Sequence, residues 1–138
     1  MSIKKYPPEL GVLVDSHGHL CPGLAMGYRV SRYALKMVDK GPGLTVYSGS
    51  GGCPLHAIEV MTGCSRDNGT IIMVNQQGWA FYDEKSEEGF RFVLKNNLAG
   101  RKPEDKDDYI NLLLSLPDND LFDLEPFNPP GNGEENKG

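Results

Sequence analysis

Apolar and polar positions repeat with a helical period from Pro22 onward. Cationic residues occupy the intervening face, so the segment predicts an amphipathic helix of about four to five turns. Pro22 suits the first turn because its missing N–H would be unpaired there, and the Gly-Pro-Gly sequence at 41–43 ends the helix. The repeating positions are Leu24, Tyr28, Ser31, Leu35 and Val38.

A strand, a glycine loop and a second helix follow. Residues 44–47 are short and β-prone, and they lead into four small residues before Cys53 and Pro54 open another apolar-periodic segment. Gly63 is well placed as the left-handed residue that ends this second helix. Cys64 is therefore expected just past the helix end.

The second half of the chain predicts a small sheet and a last helix. After a turn at 67–69, apolar patterns at 70–74, 79–82 and 90–95 indicate three strands, most simply an antiparallel meander. Pro103 and the acids after it predict a helix that covers the sheet. We therefore expect an α+β fold, in which an antiparallel or mixed sheet packs against a long N-terminal helix and further helices in a single domain.

The length and charge of the chain limit its possible domain organisation. Its 138 residues suit one domain, which we divide into an N-terminal arm at 1–14, a core at 15–124 and a disordered acidic tail at 125–138. The segment 118–138 carries six acids against Lys137 alone, which accounts for the net charge of −5. The rest of the chain is balanced, so we expect neither nucleic acid nor a membrane as a partner.

The number of cysteines indicates the redox state of the cellular compartment. There are three, an odd number, and no apolar run approaches the roughly 18 residues of a membrane helix. We therefore predict a cytoplasmic protein with reduced thiols.

The first candidate functional site is the segment His17-Gly-His19-Leu-Cys21. If it is extended, the period of two places both imidazoles and the thiol on one side of the backbone. These donors suit zinc, although nickel, cobalt and iron accept the same ligands. The sequence predicts a metal site at His17, His19 and Cys21, with Cys64 as the additional ligand.

Other residues near the helix starts form a possible additional site. Cys21 and Cys53 each precede a proline at a predicted helix start, where the positive helix end lowers a thiol pKa. His56 follows Cys53 by three residues and so lies on a neighbouring helix face. Tyr28 could reach a ligand with its hydroxyl, but a core position explains it more simply.

The glycine loop before the second helix has two interpretations. Its backbone N–H groups could cradle an anion, as glycine loops at helix starts do for phosphates. A tight turn is the simpler explanation, because the sequence lacks the dinucleotide and phosphate-loop patterns. The loop consists of Gly49, Ser50, Gly51 and Gly52.

Three motifs resemble the E-subunit family of formylmethanofuran dehydrogenase. They are His17-Gly-His-Leu-Cys-Pro-Gly-Leu-Ala-Met-Gly-Tyr28, Cys53-Pro-Leu-His-Ala-Ile58 and Thr62-Gly-Cys-Ser-Arg-Asp-Asn-Gly69. The resemblance implies an α+β core that pairs as a homodimer, with a metal cleft able to take a small-molecule ligand. It also implies that the His-Gly-His-x-Cys and Thr-Gly-Cys segments supply the metal ligands, namely His17, His19, Cys21 and Cys64.

Two features depart from the family pattern. Members usually have an acidic residue in a Cys-x-x-Asp-Ala stretch, where this chain has His56, which would change the metal preference or the hydrogen bonds around it. Many relatives continue into a cysteine-rich zinc finger, but no cysteine follows Cys64 here. The resemblance is therefore to the core domain.

Three functions follow as hypotheses. The first is a metal-binding accessory module in molybdenum- or tungsten-type one-carbon or redox metabolism. The second is a metal-dependent enzyme acting on a small substrate, with His17 or His56 handling protons. The third is a thiol-redox protein that uses Cys21 and Cys64.

Overall fold

The structure is a computed structural model that describes residues 8–18, 20–38, 41, 43–49, 51–95 and 106–128. His19, Ser50, the predicted helix start at 103–105 and the tail from 129 onward lie outside the described residues. The backbone alone is described for Pro8, Glu9, Ser16, His17, Lys106 and Asp107.

Five helices occur within the described residues. α2 and α3 confirm the two predicted helices, whereas residues 8–14, which we predicted as part of an arm, form most of an additional helix, α1. Leu10 and Leu13 of α1 are fully buried, so this helix is packed onto the domain. No described helix is both long and apolar enough to cross a bilayer. The helices are α1 (Pro8–His17), α2 (Pro22–Met37), α3 (Cys53–Thr62), α4 (Lys106–Ser115) and α5 (Asp118–Leu121).

Five strands form one mixed sheet in the order β2-β1-β3-β4-β5. β2 pairs with β1 in parallel, and all other pairs are antiparallel. The predicted meander is therefore wrong in one respect, because β1 lies between β2 and β3. The strands are β1 (Leu44–Ser48), β2 (Ile71–Met73), β3 (Trp79–Asp83), β4 (Glu88–Leu94) and β5 (Phe122–Pro126).

β5 is a strand that the sequence pattern did not reveal. It pairs with β4, so that Leu124 lies opposite Phe92 and Glu125 lies opposite Arg91. The strand runs to Pro126, two residues past the predicted end of the core at 124.

Aromatic side chains join α2 to the sheet. Phe81 and Phe92 are fully buried, and their ring centroids lie 5.7 Å apart in a T-shaped contact. Tyr33 of α2 meets the Phe92 ring edge-on at 5.1 Å. Such contacts bury large apolar surface, so these aromatic side chains stabilise the packing of α2 on the sheet. The predicted α+β fold is confirmed, with α2 across a mixed sheet.

Candidate functional site

Cys21 and Cys53 lie at the starts of two neighbouring helices. Cys21 is the extended N-cap residue of α2, and its carbonyl accepts the first helical hydrogen bond, from Ala25 N–H, at 3.1 Å. In α3 the N-cap is Gly52, so Cys53 is the first helical residue, one position later than a cap. Cys21 is buried and Cys53 is half-buried. Cys53 is therefore the more exposed of the two residues.

Two glycines allow α2 and α3 to approach each other closely. A Cβ at Gly23 would lie 2.9 Å from the Cβ of Cys53, and a Cβ at Gly27 would lie 2.3 Å from the Pro54 carbonyl oxygen. Only glycine fits such separations. The Gly-x-x-x-Gly spacing places both on one face of α2, and this face holds the start of α3 against the start of α2.

Cys53 packs against the apolar cluster that contains Cys21, and a side-chain hydrogen bond with Cys21 contributes to the pKa of its thiol. Burial raises the pKa of the Cys53 thiol, and the hydrogen bond and charge interaction with Cys21 raise it further; together they outweigh a backbone hydrogen bond that lowers it. The prediction of a lowered pKa is therefore wrong for Cys53. Desolvation and a thiol neighbour exceed the helix-end effect here.

The chain is not extended where it leaves α1 toward α2. His17 is the last residue of α1, and Gly18 takes a left-handed φ of +104° while its N–H donates to the Val14 carbonyl at 2.8 Å. The prediction of an extended segment is therefore wrong at His17, which ends a helix. The side chain of His17 and all of His19 lie outside the described residues.

Cys64 lies at the opposite end of α3 from Cys53. A helix of ten residues is about 15 Å long, and Cys64 follows its C-cap, Gly63. The buried Cys64 thiol donates to the Leu44 carbonyl of β1 at 3.5 Å. Within one chain, the structure therefore separates Cys64 from the pair of Cys21 and Cys53.

Local hydrogen bonds account for the Thr-Gly-Cys segment. The Thr62 hydroxyl donates to the Ile58 carbonyl at 2.6 Å and accepts the Cys64 N–H at 3.1 Å. Gly63 has the left-handed φ of +81° that the sequence predicts for it. The segment ends α3 and leads into the turn before β2, which is a structural reason for its composition.

Tyr28 lies on α2 and His56 lies on α3. His56 is half-buried in the first turn of α3, and its N–H donates to the Gly52 carbonyl at 3.2 Å. Tyr28 is 1% exposed and packs in one apolar cluster with Cys21. Its hydroxyl accepts a hydrogen bond from Arg32 Nη1 at 3.1 Å. Tyr28 is thus a core residue with a polar tip.

Gly49 of the glycine loop lies close to the backbone of residues 76–78. The Gly49 N–H donates to the Gly78 carbonyl at 3.1 Å, and a Cβ at Gly49 would lie 1.7 Å from the Gln76 carbonyl oxygen. Close backbone approach therefore explains Gly49 without a ligand. Gly51 and Gly52 are exposed, and Gly52 has φ +77°. Anion binding by this loop stays a prediction.

Within the described part of the chain, no group of three or more His, Cys, Asp or Glu side chains converges as a metal site would require. The imidazoles of His17 and His19 are not among those side chains. Of the four predicted ligands, Cys21 and Cys64 have described side chains, and the fold places them apart. Cys53, predicted for a possible additional site, lies beside Cys21 instead.

Comparison with known proteins identifies the family to which the chain belongs. The family model described as "FmdE, Molybdenum formylmethanofuran dehydrogenase operon" matches residues 16–123, which is most of the chain. The chain belongs to the FmdE family. This confirms the resemblance drawn from the three motifs, because the match contains all of them.

A solved FmdE-like structure has the same fold. It is an FmdE-like protein of the tungsten formylmethanofuran dehydrogenase type from Syntrophus aciditrophicus, with a TM-score of 0.68 and 19% sequence identity. The match covers 88% of this chain and 71% of that one. At this identity the likeness shows the FmdE fold alone. No curated protein matches the chain significantly.

The contact between Cys21 and Cys53 is the part of the candidate site that spacing in the sequence did not reveal. The sequence does contain a signal for it, because Cys-Pro recurs at both helix starts and Gly23 and Gly27 mark one face of α2 for close packing. Which helix packs on that face is a long-range property, so the local pattern could not identify the partner.

Proposed function

We propose that this FmdE-family chain binds a transition metal, zinc by its donor chemistry, at the start of α2. The observation that carries the proposal is the contact between the Cys21 and Cys53 thiols. Zinc takes thiolate and imidazole ligands in tetrahedral sites. The two neighbouring sulfur atoms, at the starts of two packed helices, would supply two of the four ligands of such a site.

His17 and His19 are the proposed nitrogen donors. Two residue steps separate His19 from Cys21, so the chain between their Cα atoms spans at most about 7 Å. His17 ends α1, four residues before Cys21. Four protein ligands would make a closed site, whereas three would leave a position for a water or a small-molecule ligand. In this proposal Cys53 takes the place that the sequence argument assigned to Cys64.

We further propose an accessory role in molybdenum- or tungsten-dependent one-carbon or redox metabolism. The support is the family description, which names the molybdenum formylmethanofuran dehydrogenase operon, and the solved relative, which is named after the tungsten enzyme. The homodimer belongs to the same proposal and rests on the family resemblance.

The proposal predicts the metal content of the purified protein. Elemental mass spectrometry on protein made without an affinity tag should find about one metal ion per chain in the wild type. Cys21→Ser and His19→Ala should lose it, because each removes a donor. Cys64→Ser is the matched control and should keep it. A wild type that is fully folded and free of metal would contradict the proposal.

The same thiol contact favours a second candidate, a thiol-redox function through Cys21 and Cys53. In this reaction the two thiols lose two protons and two electrons to form one disulfide, and a small disulfide oxidant is reduced to two thiols. Treatment of metal-free protein with oxidised glutathione should lower the count of free thiols from three to one, with Cys64 remaining. A count that stays at three would contradict this function and leave the metal proposal standing.

A further inference from the structure

Trp79, the first residue of β3, is buried with its indole N–H unpaired. The residue is 6% exposed. Within the part of the chain that the structure describes, no acceptor lies within hydrogen-bond distance of its buried Nε1 atom. Buried tryptophan N–H groups usually have a partner, because a buried donor without one lowers stability. The indole N–H of Trp79 is therefore a donor that a bound molecule could satisfy.

The aromatic neighbour of Trp79 does not replace such a partner. The rings of Trp79 and Phe122 form a T-shaped contact, with their centroids 6.3 Å apart. A ring face is a weaker acceptor for an N–H group than a carbonyl oxygen is. The indole N–H would therefore still gain from a carbonyl acceptor.

Trp79 lines a cavity of about 260 Å³. Its volume is slightly below that of pockets for drug-sized ligands, so it suits a compact molecule. We call it the Trp79 cavity. The other residues that line it are Met26, Gly49, Gln77, Gly78, Val93 and Leu94.

Backbone contacts fix the rim of the Trp79 cavity. The Gly49 N–H donates to the Gly78 carbonyl at 3.1 Å, and Arg91 Nε donates to the Gln77 carbonyl at 3.0 Å. Gly78 has a left-handed φ of +84°, and a Cβ there would lie 2.3 Å from the Phe92 carbonyl oxygen. The rim is thus formed before a ligand arrives, which lowers the entropic cost of binding.

The lining of the Trp79 cavity extends from exposed to buried residues. Gly49 and Gln77 are exposed, whereas Trp79 and Leu94 are buried. Because Nε1 is itself buried, a ligand reaches it only when a lining side chain moves. Met26 is half-buried, and the unbranched methionine side chain adjusts readily to a neighbour. Met26 is therefore the side chain that we expect to move.

The chemistry of the lining favours a neutral ligand. None of the described side chains that line the cavity is ionisable, so a charged ligand would lose its hydration without meeting an opposite charge. A bound water needs two to four polar partners, but Met26, Val93 and Leu94 are apolar. A neutral carbonyl compound fits better, because its oxygen needs one donor and its apolar body contacts these three side chains.

We infer that the Trp79 cavity binds a compact neutral organic molecule through a carbonyl oxygen that accepts a hydrogen bond from Trp79 Nε1. This inference goes beyond the proposed metal function and does not depend on it. None of the residues that line the cavity is a donor of the proposed metal site.

The test uses the fact that Trp79 is the only tryptophan in the chain. The full chain labelled with ¹⁵N therefore gives one indole N–H cross-peak in a nitrogen–proton correlation spectrum. Titration with cyclohexanone should shift this peak downfield and saturably, as hydrogen bonding deshields the proton. Cyclohexene, which lacks the carbonyl, should bind about tenfold more weakly or less. The anion cyclohexanecarboxylate should not bind.

Two variants test the location of the ligand. Val93→Phe adds volume inside the Trp79 cavity and should abolish the binding of cyclohexanone. Val12→Phe is the matched control, because Val12 is 59% exposed on α1 and does not line the cavity; it should bind as the wild type does. In Trp79→Phe, saturation-transfer spectra of the ligands should show that cyclohexanone no longer binds better than cyclohexene.

The titration of the wild type alone can overturn the inference. It does so if cyclohexanone gives no saturable shift of the indole peak, or if cyclohexene binds equally well. Binding to a folded Val93→Phe variant at the wild-type level would also overturn it. Cys53→Ser should bind cyclohexanone unchanged, whereas loss of binding in that variant would place the ketone at the metal site instead.

Discussion

Asp118 shows how single residues connect the elements of this domain. Its carboxylate accepts hydrogen bonds from Arg29 at 3.0 Å and from Lys36 at 2.6 Å, and its side chain is 16% exposed. Burial alone would raise the pKa of Asp118, but the hydrogen bonds and charges of Lys36 and Arg29 outweigh it and hold the pKa below its usual value. The ionised form is therefore favoured in the folded state.

The lowered pKa of Asp118 predicts a dependence of stability on pH. A lowered folded-state pKa gives stabilisation that is complete above the unfolded pKa of about 3.9 and is lost as pH falls through the folded value. Asp118→Asn should lower the free energy of unfolding by about 1–2 kcal/mol at neutral pH. The difference from the wild type should shrink below about pH 4. Urea unfolding across this pH range measures it.

The control for this prediction is Asp123→Asn. Asp123 pairs with Lys95 at 2.7 Å, but its side chain is 67% exposed. Solvent screens such pairs, so this variant should unfold nearly as the wild type does at every pH. A difference between Asp118→Asn and the wild type that stayed constant into acid would show that the Asp118 charge is not the cause.

At the scale of elements, the contact between α2 and α3 brings the candidate site together. Gly27→Ala should test it, because alanine gains about 1 kcal/mol of helix propensity over glycine, but its Cβ would lie 2.3 Å from the Pro54 carbonyl oxygen. Backbone cannot move as a flexible side chain does, so we expect a net loss of about 1–3 kcal/mol in the free energy of unfolding.

The matched control is Gly51→Ala, since a Cβ at Gly51 would meet nothing within 4 Å. Thermal and urea unfolding of the two variants should therefore diverge, with Gly51→Ala close to the wild type. Equal stability of Gly27→Ala and the wild type would mean that the two helices do not pack as closely as described.

The elements differ in how far the sequence predicts them. α2 and α3 follow from their apolar period, and Gly63 from the need for a left-handed residue at the end of α3. α1 does not, because among its described side chains only Leu10 and Leu13 are fully buried, which is too few for a recognisable apolar repeat. β5 does not either, because four of its five residues are exposed, so no apolar alternation marks it.

At the scale of the whole molecule, the strand order and the helix contacts determine which side chains lie together at the candidate site. The parallel pairing of β1 with β2 is a long-range choice that local patterns do not encode. The same holds for the thiols, because the sequence contains three cysteines and the fold pairs Cys21 with Cys53 while it places Cys64 at the far end of α3. Residue chemistry therefore predicts which residue types to examine, and the topology determines which of the cysteines lie together.

The most direct test of the central claim, that Cys21 and Cys53 form one metal site, is a cobalt titration followed by absorption spectroscopy. Thiolate ligands give Co²⁺ an intense near-ultraviolet charge-transfer band, so its intensity per bound metal reports the number of thiolates. We predict the intensity of two thiolates in the wild type and in Cys64→Ser, and about half of it in Cys53→Ser. Half intensity in Cys64→Ser with an unchanged Cys53→Ser spectrum would contradict the account and return the site to Cys21 and Cys64.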